Sequence, residues 1–318
     1  MEHNLPVLVV TYNRPDNLGK MLNQISTLGI KKIYIAIDGP KNGTDSVIVS
    51  KNSKTIQQFI DRRYLNIKVW FRSENLGLVQ SMLSAIDWFF SHENRGIILE
   101  DDLNLTKSFF EFAEHGLEIY ESNSEIFMVT GNQFFSEVGP RNAVSIANYP
   151  LIWGWATWSS RWQKFRNTLD ESKVPKNNAK IKNNVYFFWK MGYIKSVNLQ
   201  NQSWAILLAT YMRFSKLISV VPNSNLVSNV GFGEASTNTL LPNNFLQIAA
   251  TETKISNFVI TNAKNLTQLL EQKIFRISLK HYLLFFKIML YSLNRASSQH
   301  NLIESLKALK IKSMKEQT

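Results

Sequence analysis

The chain reads as a doubly wound α/β domain, a mainly parallel sheet with helices on both faces. Two patterns predict this class. Short apolar runs alternate with apolar stripes of helical spacing through the first 130 residues, and each run stops in a polar, turn-forming or acidic cluster. The sharpest of these ends is Ile97-Ile98-Leu99-Glu100-Asp101-Asp102-Leu103, where a buried-looking strand meets three consecutive carboxylates. With 318 residues and 44% apolar content, the chain can bury a substantial core.

Val7 to Thr11 is the expected first strand, and Asn13 stands near the cap of a helix with Pro15 in its first turn. Leu18, Met21, Leu22, Ile25 and Leu28 mark that helix's buried stripe. Lys32 to Ile37 is the second strand, ended by the turn signal Asp38-Gly39-Pro40. A helix with Ile56, Phe59 and Ile60 on one side leads to a third strand, Ile67 to Phe71. Val79, Met82, Leu83, Ile86, Phe89 and Phe90 stripe the next helix, before a strand at Gly96 to Leu99. A helix from about Lys107 to Tyr120 and a strand at Ile126 to Thr130 complete the series.

The second half is less regular. Trp153, Trp155, Trp158 and Trp162 put four indoles into ten residues, suited either to filling a core or to facing sugar rings. Residues 170–184 read as an exposed loop or acceptor lid. Trp204 to Leu208 opens a buried helix, and Ser219 to Pro222 is a further strand.

Composition narrows the classes. The absence of cysteine removes disulfides, thiolate nucleophiles and thiolate metal sites, and fits a reducing compartment. No segment reaches the ~18 uninterrupted apolar residues of a membrane span. Leu5 to Val10 is too short for a signal core and is read as strand, so a cytoplasmic location is expected. The formal charge is +12, and residues 251–318 carry 11 Lys/Arg against 4 Glu. Residues 266–291 form a basic amphipathic stretch that would lie on an anionic membrane surface or pack on the domain. No nucleic-acid motif accompanies the charge, and nucleic acid is not an expected partner.

In open sheets of this class ligands bind beyond the carboxyl ends of the strands. A nucleotide there needs an apolar or aromatic wall, an acid, cations for phosphate and a hard ion for a diphosphate. Tyr12, Asp38, Arg14 or Arg72, and Asp102 could supply these in order. Continued strand alternation would put Glu100 and Asp102 on one face and Asp101 on the other. The competing reading makes the three acids simple caps for the helix near Thr106.

Pro6 to Pro15, Ile37-Asp38-Gly39, Glu74 to Leu78 and Leu99 to Leu103, in that order, resemble the nucleotide-binding half of GT-A glycosyltransferases. The likeness is to bacterial family-two-like enzymes and to N-acetylglucosaminyltransferase I, and it extends through Pro222 to Gly233. It implies a Rossmann-like GT-A fold with a nucleotide-sugar half at 1–130, an acceptor half at 131–245 and a basic helical tail at 246–318. By that resemblance Thr11 and Arg14 touch nucleoside or phosphates, Asp38 the base, and Asn75 with Gly77 the loop beside the donor. Asp102 holds Mn²⁺ or Mg²⁺, Glu100 and Asp101 face donor sugar and ribose, and Trp153 or Trp155 lines the acceptor side. The implied activity is transfer of a sugar from a nucleotide-diphosphate sugar to a carbohydrate or lipid-linked acceptor in surface-polysaccharide synthesis.

An inverting transfer needs a carboxylate base. The resemblance places it in the Trp204-Ala205-Ile206-Leu207 segment, where no acid stands. Between Arg141 and Leu240 the only carboxylates are Asp170, Glu171 and Glu234. Glu234 is the first candidate base and Asp170 the second. A retaining mechanism, or a binding protein that has lost its base, are the alternatives. A sugar-phosphate nucleotidyltransferase is a further rival, although Thr11 to Pro15 lacks the glycine-rich first loop expected of one.

Overall fold

A computed structural model describes residues 5–62, 66–136, 138–169, 179, 181, 183–198, 203–231 and 248–274. Its strands are β1 (Val7–Thr11), β2 (Lys32–Ile37), β3 (Asn66–Phe71), β4 (Arg95–Glu100), β5 (Leu103–Leu105), β6 (Ile126–Thr130), β7 (Val144–Ala147), β8 (Trp155–Trp158), β9 (Ile218–Pro222) and β10 (Val227–Asn229). The helices are α1 (Pro15–Thr27), α2 (Gly43–Arg62), α3 (Gly77–Phe90), α4 (Lys107–Ile119), α5 (Ser159–Arg166), α6 (Asn183–Asn198), α7 (Trp204–Ser215) and α8 (Thr267–Ile274).

Eight strands form one sheet in the order β3-β2-β1-β4-β8-β6-β9-β7, and β5 pairs with β10 in a small antiparallel ribbon. β3, β2, β1 and β4 are mutually parallel, as the alternating strands and helices predict. β8 runs antiparallel between β4 and β6, a placement the tryptophan-rich segment did not announce. The result is a mixed, Rossmann-like α/β fold with a mostly parallel sheet.

Alternating strand residues sort onto two cores. Val7, Val9, Ile33, Ile35, Ile97 and Leu99 pack with α1, α2 and α4. Leu8, Val10, Tyr34, Ala36 and Ile98 pack on the opposite face with α3, α5 and α7. This is the two-sided burial expected of a doubly wound sheet.

Local differences have local causes. α1 is capped at Arg14 with no side-chain cap, and the Asn13 amide instead meets Asp45. α2 turns Val49, Asn52, Ile56 and Phe59 inward, leaving Ile60 38% exposed, because the 49-52-56-59 spacing follows the helical period better. β3 is a sheet edge, so Phe71 is exposed.

Residues 1–267 form one unit and 268–318 another. The expected halves at 1–130 and 131–245 thus share one sheet, and the first unit continues past 245. There residues 248–267 run as a strap along α4 and β7. The Glu252 carboxylate accepts the Lys107 and Ser108 backbone N–H groups at 2.7 and 3.0 Å, and Phe258 stacks on Phe112. Leu266, the first residue of the amphipathic stretch expected either on a membrane surface or packed on the domain, is fully buried ahead of α8, its N–H bonded to the Ile146 carbonyl. Residues 275–291 lie outside the described residues. Among the described residues no helix is long and apolar enough to cross a membrane.

Candidate functional site

The strand order reverses between β1 and β4, so the crevice beyond their carboxyl ends is the fold's topological switch point. β1 delivers Thr11 there and β4 delivers the acids. α1 begins at the same edge, presenting a helix N-terminus that favours anions.

β4 ends at Glu100, and Asp101-Asp102 form a turn into β5. The three acids therefore do not continue a strand alternation. Asp101 and Asp102 converge on one cation: Arg14 lies 3.1 Å from Asp102 Oδ2 and 3.5 Å from Asp101 Oδ1. Thr11 Oγ1 donates to Asp101 Oδ2 at 2.5 Å, and Asn229 Nδ2 donates to Asp102 Oδ1 at 3.3 Å. β10 brings Asn229 in by pairing with β5, and Val230 N–H bonds the Asp102 carbonyl at 2.8 Å. The acids do not cap α4. That cap is Thr106, whose side chain accepts from Phe109 N–H.

Crowding of acids at a low-dielectric edge raises their proton affinity. Burial pushes Glu100 up to about 8, with Asp102 and Asp101 adding to it and Arg14 opposing. Burial pushes Asp101 up to about 6, against the Thr11 hydrogen bond and Arg14. No hydrogen bond holds the Glu100 carboxyl among the described residues. Among the described residues no cluster of three or more His, Cys, Asp or Glu forms a ready cation cage.

Two further groups flank this centre. Buried Asp38 accepts the Gly39 and Leu76 backbone N–H groups and the Asn75 amide, each at 3.1 Å, while Asn75 Oδ1 takes the Gly77 N–H. Asp38, expected at the base, thus organises the loop holding Asn75 and Gly77. Its proton affinity is raised by burial, against those donors and Arg72. On the other side Tyr12 OH and the Asn13 amide both meet Asp45, and Asn52 Nδ2 donates to the Tyr12 carbonyl. Lys41 Nζ stands 5.5 Å from the Tyr12 ring centre.

Two expectations are corrected. Arg72, offered as a phosphate cation, is buried against α3: its guanidinium binds Ser81 and Ser84 and covers the Trp70 ring at 4.2 Å. Arg14 alone of the two is at the crevice. Trp155, offered for the acceptor, is 1% exposed and stacked with Trp204 and near Trp162, so it is core. Gly154, at φ 66°, turns the chain so that Trp153 packs half-buried on the other core, edge-on to Phe134. Glu234 and Asp170 lie outside the described residues.

The sequence reading missed Asp45 and Asn229. Only Asp45 carried a signal: Asn42 and Asp45 have capping-box spacing, and Asp45 N–H does bond Asn42 Oδ1 at 2.9 Å. Asn229 gains its place through the pairing of β5 with β10.

No family model matches the chain, and no curated protein does. Among solved structures it is similar to the inositol-1-phosphate CTP transferase from T. maritima, at 9% identity and a TM-score of 0.40. The match covers 75% of this chain and 94% of that one. At that distance the likeness says nothing of the reaction, and the site itself remains the ground for a functional reading.

Proposed function

We propose that the chain is a GT-A-type glycosyltransferase that moves a sugar from a nucleotide-diphosphate sugar to a carbohydrate or lipid-linked acceptor. The observation that carries this reading is the convergence of Thr11, Arg14, Asp101, Asp102 and Asn229 at the β1/β4 switch point. In this reading Arg14 and the α1 N-terminus hold the phosphates, and the Tyr12 ring with the Asn75–Gly77 loop borders the nucleoside. Asp101, bonded to Thr11, faces the ribose, and Glu100 faces the sugar.

The acids also fit a hard divalent cation, since every side-chain donor here is oxygen. Asp102 would hold Mn²⁺ or Mg²⁺, which would supply stabilisation of negative charge on the departing diphosphate. Arg14 now neutralises Asp102, so donor binding would transfer that guanidinium to phosphate. A carboxylate must take the proton from the attacking hydroxyl, and Glu234, then Asp170, are the candidates. Residues after 275 would add contact with an anionic membrane face, in which case their deletion should lower binding to anionic vesicles.

Thermal melts with a panel of nucleoside diphosphates test the reading, with Mn²⁺ and with chelator, on wild type and Asp102→Ala. A metal-dependent rise in melting temperature, lost in the variant, supports it by mass action. No rise with any nucleotide overturns it.

A further inference from the structure

We infer that Arg14 is a latch that makes divalent-cation binding at Asp102 conditional on a diphosphate. The inference rests on the nucleotide-sugar reading above and names the regulation of that same site.

Both oxygens of the Asp102 carboxylate are engaged by donors of this chain. Asn229 Nδ2 donates to Oδ1 at 3.3 Å, and Asn229 is itself fixed, its Oδ1 accepting the Gly231 N–H at 2.6 Å. Arg14 Nη1 takes Oδ2 at 3.1 Å. The same nitrogen stands 3.5 Å from Asp101 Oδ1, while Thr11 Oγ1 donates to Asp101 Oδ2 at 2.5 Å. The two anchors of Asp102 differ in kind. Asn229 is a neutral amide on β10, tied down by pairing with β5. Arg14 is a long, charged side chain, 28% exposed, on a backbone that stays in place as the N-cap of α1, its carbonyl accepting the Leu18 N–H at 3.0 Å. The guanidinium can therefore swing away without disturbing strand or helix.

With Oδ1 held by Asn229, Arg14 decides the availability of Oδ2. Arg14 must leave Oδ2 before that oxygen can serve a divalent ion, and leaving uncovers two neighbouring carboxylates unless an anion receives the guanidinium. The N-terminus of α1 begins at Arg14 itself, so a diphosphate bound there meets the guanidinium within its own reach and takes it through charged hydrogen bonds. Asp102 then regains the full negative charge that a hard cation requires. Linkage makes the effect mutual: whatever factor the diphosphate adds to cation affinity, the cation adds to diphosphate affinity. The latch also resets, because Arg14 returns to Oδ2 once the diphosphate has left.

The test titrates Mn²⁺ alone, read as free Mn²⁺ by electron paramagnetic resonance at fixed pH and ionic strength, into wild type, Arg14→Ala, Asp102→Ala and the double variant. Removing the latch should tighten Mn²⁺ binding by about tenfold, the worth of one charged hydrogen bond. In the Asp102→Ala background the same substitution should change nothing. Equal or weaker Mn²⁺ binding by Arg14→Ala, or a gain that persists without Asp102, overturns the inference and leaves the glycosyltransferase reading standing. A second arm titrates wild type and Arg14→Ala with UDP, GDP, CDP and dTDP by calorimetry, with and without Mn²⁺. For the nucleotide that binds, the gain in affinity brought by Mn²⁺ should be smaller in the variant by about the same tenfold factor, as reciprocity requires. An equal gain in both proteins overturns the inference. Binding of no nucleotide by wild type overturns both readings. Should Arg14→Ala not fold, Arg14→Gln removes the charge and keeps most of the side chain's length.

Discussion

Asp102 lies so close to Gly231 that a Cβ added to the glycine would stand 2.2 Å from Asp102 Oδ2. The glycine lets β10 close over the carboxylate while Asn229 bonds its other oxygen. Gly231→Ala must therefore displace Asp102 from Arg14 or push the chain away from it. Nucleoside diphosphate binding with Mn²⁺ should weaken by about tenfold, the worth of one interaction with a charged group. Calorimetric titration reads this, and unchanged affinity would mean that Asp102 does not touch the ligand.

Asp38 is the point on which the Asn75–Gly77 loop is fastened. Asp38→Ala leaves the Gly39 and Leu76 N–H groups without their acceptor, at a cost of about 2 kcal/mol in unfolding free energy. Urea denaturation should show that loss, with a smaller one for Asp38→Asn, which keeps one carbonyl oxygen. Equal stability of Asp38→Ala and wild type would refute the fastening role.

The acid cluster makes stability depend on pH in a defined direction. Folding lifts Glu100 from 4.5 to about 8 and Asp101 from 3.8 to about 6. Between the unfolded and folded values the native chain holds protons that the unfolded chain has released. Their contribution to stability is complete in acid and is lost as pH rises, at about 1.4 kcal/mol per pH unit for each proton. Melting temperature at constant ionic strength should fall from pH 5 to pH 8, and Glu100→Gln should flatten the fall above pH 6. A wild-type profile that rises over this range would contradict the assignment.

The two tryptophans flanking Gly154 should separate cleanly. Trp155→Ala removes a buried indole from the α3/α5/α7 core and should cost about 3 to 5 kcal/mol. Trp153→Ala removes a half-buried ring and should cost well under half as much. Chemical denaturation of both variants decides this, and equal losses would place Trp153 in the core as well.

Much of this architecture was legible in the chain. Periodicity and turn residues set β1, β2 and β6 at their observed bounds, because each is a β-branched run closed by a polar cluster. The acids marked the carboxyl end of β4 in the same way. What periodicity could not show was pairing between distant segments. β8 reads as an aromatic cluster, and only its insertion between β4 and β6 makes Trp155 core, while the bend at Gly154 turns Trp153 onto the opposite core. β5 and β10 are three residues each, too short for any period, yet they bring Asn229 to Asp102. Arg72 looked like Arg14 in sequence, since both follow a strand. Its burial against Ser81 and Ser84 is a property of α3 docking rather than of its own neighbourhood.

The insertion of β8 also sets an order of events for a chain emerging from the ribosome. When residues up to Thr130 have been made, β1 to β4 can assemble with their helices, but the flank of β4 that will receive β8 has no neighbour. That flank stays open until Trp155 to Trp158 follow, and β6 cannot join the sheet before then, because β8 is the strand between them. A nascent chain halted in this interval carries an apolar, unpaired strand border, the feature that most readily recruits a second chain. Truncation anywhere between residues 131 and 154 should therefore yield aggregates rather than a smaller soluble domain.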